Sequence, residues 1–242
     1  DRIEESIAGR VVYPVNRQAT TFRQIIHRFT AGHPWDEFGI DLVLGAEADR
    51  AIDTRTQMFS PFVMMAEADS AVIRQADGET RPLVKATRRV VEASAQPSES
   101  SFPLSPMTCA CLLLALSAVV SWAEWRHGMP SWWFDTLLFA LQGLAGCIVA
   151  FLFFFSLHPT VGSNYLLIIL NPIPLIYLPW MIYKSLKGRK DAYHVGSAAV
   201  LTLFIVFWWL IPQKITLVIL PLALSLLMRS VTRILVTRKA RK

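Results

Sequence analysis

The sequence predicts an α+β soluble domain followed by an all-α membrane domain of about five transmembrane helices. Three observations lead there. The 242 residues are 53% hydrophobic and only 17% charged, with a mean hydropathy of +0.41, outside the range of ordinary soluble domains. The apolar residues are unevenly spread: long uncharged runs begin near Leu104 and recur to the end, whereas residues 1–100 read as water-soluble. Charge divides at the same place, with 12 Lys+Arg against 15 Asp+Glu in residues 1–100 and 12 against 3 in residues 101–242. The pI near 9.5 therefore reflects cations flanking the apolar runs. It excludes nucleic acid as a partner, which would need a basic face on a soluble element.

The soluble part is taken as residues 1–92. It opens on Asp1 without a secretory signal pattern, and a preceding segment is expected. Thr21 and Gln24 have capping-box spacing, and Phe22, Ile25, Ile26 and Phe29 recur on one helical face until Gly32. A second helix follows, with Pro34 in its first turn, Asp36 and Glu37 at the positive end of its dipole, and Gly45 as its cap. Ser60-Pro61 opens a third, with Phe62 and Met65 expected inward. Residues 71–74 and 82–86 flank Asp77-Gly78 as a β-hairpin with a slightly long loop. Residues 93–103 are a Ser/Pro-rich linker.

Within the membrane domain, 104–242, a bilayer core about 30 Å thick asks for roughly 20 apolar residues per helix. Windows near 104–123, 134–157, 165–183, 195–211 and 215–236 meet or approach that length. Pro172, Pro174, Pro179 and Pro221 predict kinks. Arg229 and Arg233, four residues apart, are expected to snorkel to the headgroups from one face of the last helix. Lys184, Lys187, Arg189 and Lys190 mark one loop as cytoplasmic, and Arg238, Lys239, Arg241 and Lys242 mark the tail. Two helices separate these clusters, as the same side requires. The soluble domain then lies outside the cytoplasm, periplasmic if the cell has an outer membrane.

Chemistry is sparse. Cys109, Cys111 and Cys147 all fall in membrane helices, so the soluble part has neither a disulfide nor a thiol nucleophile in this sequence. His27 and His33 have no further ligand at usable spacing, so no metal is expected, and no phosphate loop points to a cofactor. Asp41, Asp49 and Arg50 border Gly45; a carboxylate there can orient a catalytic base supplied from upstream residues, and capping or surface pairing is the commoner explanation for such residues. In the membrane half, His158, Asn164 and Asn171, with Gln142, are polar groups that can line an outer-leaflet lipid pocket or join helices by hydrogen bonds.

These residues carry a resemblance. Thr21-Phe22-Arg23, the string Trp35-x-x-Phe38-Gly39-Ile40-Asp41-Leu42-x-Leu44-Gly45-x-x-x-Asp49, Met58-Phe59-x-Pro61 and Gly78-x-x-x-Pro82-Leu83-Val84 resemble the Lnb-type periplasmic domain of Gram-negative bacteria. Leu157-His158-Pro159, Asn164 and Asn171-Pro172 are similar to the membrane region of the same proteins. The resemblance implies the C-terminal part of a thiol-peptidase-like fold, and a lipoprotein N-acyltransferase that adds the third acyl chain to the N-terminal cysteine of diacylated lipoproteins. Its implied partners are a phospholipid acyl donor and a diacylated lipoprotein acceptor. It also implies that the catalytic cysteine and histidine precede the Asp-Arg-Ile-Glu segment at Asp1, so this chain alone would be inactive. The rival reading is a non-catalytic periplasmic binding or scaffold domain on a multi-pass anchor; a cysteine and histidine upstream would separate the two.

Overall fold

The computed structural model describes residues 2–7, 9–13, 18–91 and 102–239. In chain order it holds α1 (Arg2–Glu5), β1 (Arg10–Val12), β2 (Thr20–Thr21), α2 (Phe22–Thr30), α3 (Pro34–Val43), a 3-10 turn at Ala46–Asp49, β3 (Ala51–Ile52), α4 (Thr54–Gln57), α5 (Pro61–Ser70), β4 (Val72–Arg74) and β5 (Thr80–Pro82). Then come α6 (Pro106–His127), α7 (Trp132–Phe155), a 3-10 turn at Tyr165–Ile168, α8 (Ile173–Leu186), α9 (Ala192–Val206), a 3-10 turn at Trp208–Leu210 and α10 (Ile219–Lys239). These residues form two compact units, Asp1–Phe29 with Arg50–Glu99, and Thr30–Asp49 with Ser100–Lys242. The linker read at 93–103 lies outside the described residues up to residue 101.

The first unit is built on an antiparallel sheet of order β1-β4-β5, with Val11 opposite Ile73 and Ile73 opposite Arg81, and on the short pair β2-β3. Ile25, Val63, Ala71 and Ile73 are its buried apolar residues. The capping box forms: Thr21 Oγ1 accepts from the Gln24 N–H, and Gln24 Oε1 accepts from the Thr21 N–H, both at 3.2 Å. Thr21→Ala should cost about 1 kcal/mol. Faster hydrogen exchange across residues 22–27 would show it, and unchanged exchange would deny the cap its role. Arg55 bonds both Glu4 carboxylate oxygens and, with the Tyr13 hydroxyl, holds that carboxyl below the usual carboxylate range. A lowered folded pKa means that this contact contributes above the ordinary Glu value and fades as the pH falls through the folded one.

Two local expectations are corrected in this unit. The hairpin returns at Thr80–Pro82, not at 82–86, because Asp77 Oδ1 accepts the Glu79 N–H at 3.0 Å and Gly78, at φ +89°, tightens the turn. Phe62 and Met65 point outward on α5, 64% and 60% exposed, while Val63 and Glu67 take the buried face. Phe62 instead stacks on Phe29 at 5.5 Å.

The second unit is mostly helical. Among the described residues, four helical stretches are long and apolar enough to cross a membrane: Pro106–His127, Trp132–Phe155, Tyr165–Leu186 and Ile219–Lys239. The fourth window, expected at 195–211, is instead the 15-residue α9 at Ala192–Val206 followed by the 3-10 turn. Pro212 holds Ile211 in an extended conformation and ends the 3-10 turn. Ser105 caps α6 by accepting the Thr108 N–H at 3.1 Å, Gly128 closes it in the left-handed region at φ +71°, and Asp191 caps α9. Phe134, Phe139, Leu166, Met181, Leu201 and Leu226 belong to one buried cluster. Leu112, Leu116, Phe151, Ile176 and Leu203 point outward, as residues meeting acyl chains would.

The third crossing is broken, as its prolines predict. Asn171-Pro172 separates the 3-10 turn from α8, and Asn171 spans the gap, donating from Nδ2 to Ile168 O at 3.1 Å and accepting the Ile173 N–H at 3.2 Å. Gln142 Nε2 donates to Ile169 O at 2.6 Å, so α7 satisfies a carbonyl the break releases. Gly143 and Gly146 make this approach possible: a Cβ on Gly146 would lie 2.3 Å from the Asn171 carbonyl carbon.

Arg229 does not snorkel. It is fully buried, donating from Nε to Asp135 Oδ1 at 2.7 Å, from Nη1 to Ser121 Oγ at 3.0 Å and from Nη2 to Glu124 Oε1 at 2.5 Å. Arg233 is buried as well, at 2% exposure. Arg229 faces the neighbouring helices because carboxylates from α6 and α7 meet it there, which compensates its charge better than a long reach to the interface would.

Candidate functional site

Residues 30–49 join the membrane helices through backbone groups that α3 leaves unpaired at its own end. Gly32, at φ +86°, reverses the chain after α2, and His33 holds the N-cap position with Pro34 behind it. The His33 ring makes no cap bond; its Nδ1 lies 4.0 Å from Asp36. At the other end Leu44 is extended, so carbonyls of the last turn must find partners outside the helix.

Loop residues of the bundle supply them. Asn164 Nδ2 donates to Leu42 O at 2.9 Å. Gln213 Nε2 donates to Leu44 O at 2.9 Å and to Asn164 Oδ1 at 3.2 Å, while Gln213 Oε1 accepts the Tyr165 N–H at 2.7 Å. The Gly45 N–H donates to Thr160 O at 2.8 Å, the Ala46 N–H to Ser163 O at 3.1 Å, and the Lys214 N–H to Asp49 Oδ2 at 2.9 Å. Asn164 and Gln213 are 3% and 6% exposed. Polar groups this buried hold their geometry because an unmade bond is expensive.

Gly45 was expected to end α3 as a cap; its role is close approach. A Cβ there would lie 1.9 Å from Gly162 O and 3.1 Å from the Asn164 N. Only glycine lets these two backbones meet.

Two cavities flank this knot. One, of about 350 Å³, is lined by Glu37, Phe38, Asp41, Pro106, Thr216 and Val218, with Asp41 buried in its wall. The other, of about 300 Å³, lies among α7, α8 and α9, lined by Gln142, Ile169, Asn171, Tyr193, Ser197 and Leu201 among others. Its lining is mainly apolar with a few fixed polar groups, the composition of a site for an apolar ligand with a polar end.

The expected site residues therefore separate. Asp41 and Asp49 both belong to this region, Asp41 at the groove and Asp49 on the Lys214 backbone. Arg50 lies in the other unit and is exposed. Of the three membrane candidates, Asn164 is consumed in the knot, Asn171 lines the apolar cavity, and exposed His158 pairs through Nδ1 with Thr160 Oγ1 at 2.8 Å.

The family model of the Lnb transmembrane domain matches residues 97–241, more than half of the chain. This chain belongs to the Lnb family. No curated protein and no solved structure matches it. In this Lnb protein, residues outside the matched domain, Leu42 to Asp49, are bonded into it, at Thr160–Asn164 and at Gln213–Lys214. Sequence reading missed Gln213, Thr160 and Gly162. Gln213 alone left a signal, as an amide between two apolar runs directly after a proline.

Proposed function

We propose that this Lnb chain is the membrane-anchored part of an acyltransferase that adds the third acyl chain to the N-terminal cysteine amine of diacylated lipoproteins. What carries the reading is the match to the Lnb transmembrane domain in a chain whose Trp35–Asp49 string is bonded to that domain. On this reading residues 1–92 are the C-terminal part of a thiol-peptidase-like periplasmic domain, 93–103 the linker and 104–242 the membrane domain of the inner membrane. The basic clusters at 184–190 and 238–242 face the cytoplasm, and residues 30–49 sit at the periplasmic face.

The nucleophile and base are a cysteine and histidine preceding Asp1. The thiolate attacks an ester carbonyl of the phospholipid donor, the thioester forms, and the lysophospholipid alkoxide leaves with the imidazolium proton. The acceptor amine, with an ordinary pKa near 8, then attacks the thioester in its neutral form; the C–N bond forms, the C–S bond breaks to release the thiolate, and the amine's proton passes to the imidazole. The residues described here position rather than react. The apolar cavity beside Asn171 suits a donor acyl chain, and the bonds from Leu42 to Asp49 fix residues 42–49 on the bundle, turning encounter into orientation. Asp49 and Asn164 support this placement through their bonds to Lys214 and Leu42, and Asn171 lines the donor's cavity.

Mass spectrometry of lipoprotein N-terminal peptides tests the reading. Cells lacking the intact gene should carry diacylated peptides that re-expression returns to the triacylated form. Peptides that stay triacylated in a strain without a second such enzyme would favour a non-catalytic binding domain.

A further inference from the structure

At the end of the bundle opposite residues 30–49, α9 and α10 enclose a cavity of about 80 Å³ lined by Lys190, Asp191, His194, Arg233, Thr237 and Arg238, among others. Arg233 is 2% exposed, and neither Nη1 nor Nη2 has a hydrogen-bond partner among the described residues. His194 is fully buried with both ring nitrogens in the same state. Buried guanidinium nitrogens without acceptors are costly, and a native site holding them calls for an acceptor within hydrogen-bond reach. Arg229, one turn earlier on α10, shows the contrast, since each of its three nitrogens is bonded.

The charge around the cavity points to the missing acceptor. Lys190, Arg233 and Arg238 stand against the single carboxylate Asp191, a lining of net +2 with neutral histidine. One oxygen of Asp191 is occupied and the other is open: its Oδ1 accepts from the Tyr177 hydroxyl at 2.9 Å and the Tyr193 N–H at 3.1 Å, with Lys184 Nζ at 3.5 Å, while its Oδ2 has no hydrogen-bond partner among the described residues. Its Oδ2 lies 4.0 Å from His194 Nε2. Lys190 and Arg238 are exposed at the rim, so positive charge runs from the surface to a buried floor. Guanidinium over a small cavity matches a phosphoryl group by shape and charge, and basic pockets between membrane helices take lipid headgroups in this way.

We propose that this cavity binds a phosphoryl anion, as the headgroup of an anionic phospholipid or as free phosphate, with Arg233 and His194 as its floor and Lys190 and Arg238 as its rim. The site is remote from the α3 knot and does not rest on the acyltransferase reading.

Native mass spectrometry of the full chain in detergent, titrated with phosphatidylglycerol, phosphatidylcholine or inorganic phosphate, tests it. Phosphatidylglycerol should bind at least about tenfold more tightly than phosphatidylcholine, and Arg233→Gln should remove that preference. If inorganic phosphate alone binds, and Arg233→Gln abolishes it, the site stands and its source is free phosphate. The exposed pair Lys190→Gln/Arg238→Gln should weaken binding several-fold without touching the buried floor, and it decides the matter if Arg233→Gln does not fold. Lys187→Gln/Arg189→Gln, outside the cavity, should leave binding unchanged. Absence of any anion preference, unchanged binding in the rim variant, or equal loss in the Lys187/Arg189 variant would overturn the proposal.

Discussion

Arg229→Met lowers the stability of the membrane unit by about 3–5 kcal/mol, the cost of leaving buried charges without their partner. The substitution keeps most of the side-chain volume but strands Glu124 and Asp135, which are 2% and 3% exposed and whose other oxygens, Oε2 and Oδ2, have no partner among the described residues. Thermal unfolding in detergent reads the loss. Combining Arg229→Met with Glu124→Gln and Asp135→Asn should recover much of it, because the uncompensated charge is then gone. A single variant as stable as the parent, or a triple variant no better than the single, would show that the cluster contributes little.

Gly45→Ala should separate the 30–49 segment from the bundle. The added carbon meets backbone on the facing side, Gly162 O at 1.9 Å, so no flexible side chain can yield. Overpacking of this kind, with the loss of the Gly45 and Ala46 hydrogen bonds, costs at least about 2–3 kcal/mol. Hydrogen exchange across residues 42–48 should rise sharply, and, on the proposed acyltransferase reading, lipoprotein triacylation in cells carrying the full-length variant should fall by more than tenfold. Gly39→Ala is the matched control. Nothing lies within 4 Å of its Cβ position, and a glycine inside α3 gains by roughly 0.5–1 kcal/mol when replaced. Equal behaviour of the two variants would remove the knot from the account.

What the sequence made legible follows from the range of each interaction. Hydropathy placed the four long membrane helices, and a three-residue spacing placed the capping box of α2, because both are local. The break at Asn171-Pro172 was legible from proline chemistry. Arg229 was misread because its partners lie 94 and 105 residues away. A signal existed all the same. Residues 101–242 contain only three carboxylates, Glu124, Asp135 and Asp191, and all three are buried. So few acids in an apolar half are retained for pairing, not for solubility. Gly45 was misread for a related reason: a cap and a close approach both select glycine, and only the position of Gly162, 117 positions further on, separates them. On α5 the outward turn of Phe62 and Met65 escaped a reading that assigned apolar residues inward by type.

The pairing of Arg229 with carboxylates from the first two membrane helices bears on how the protein is made. During synthesis α6 and α7 enter the bilayer with Glu124 and Asp135 still waiting for a cation, and α10 follows them with Arg229 near its middle. An arginine at the centre of a helix costs roughly 2.5–3.5 kcal/mol at the insertion step. Delivered to two waiting carboxylates, it is received as a counter-ion. Insertion of α10 is thus coupled to its assembly with α6 and α7, and without Arg229 the bundle keeps two buried acids with no cation to receive them.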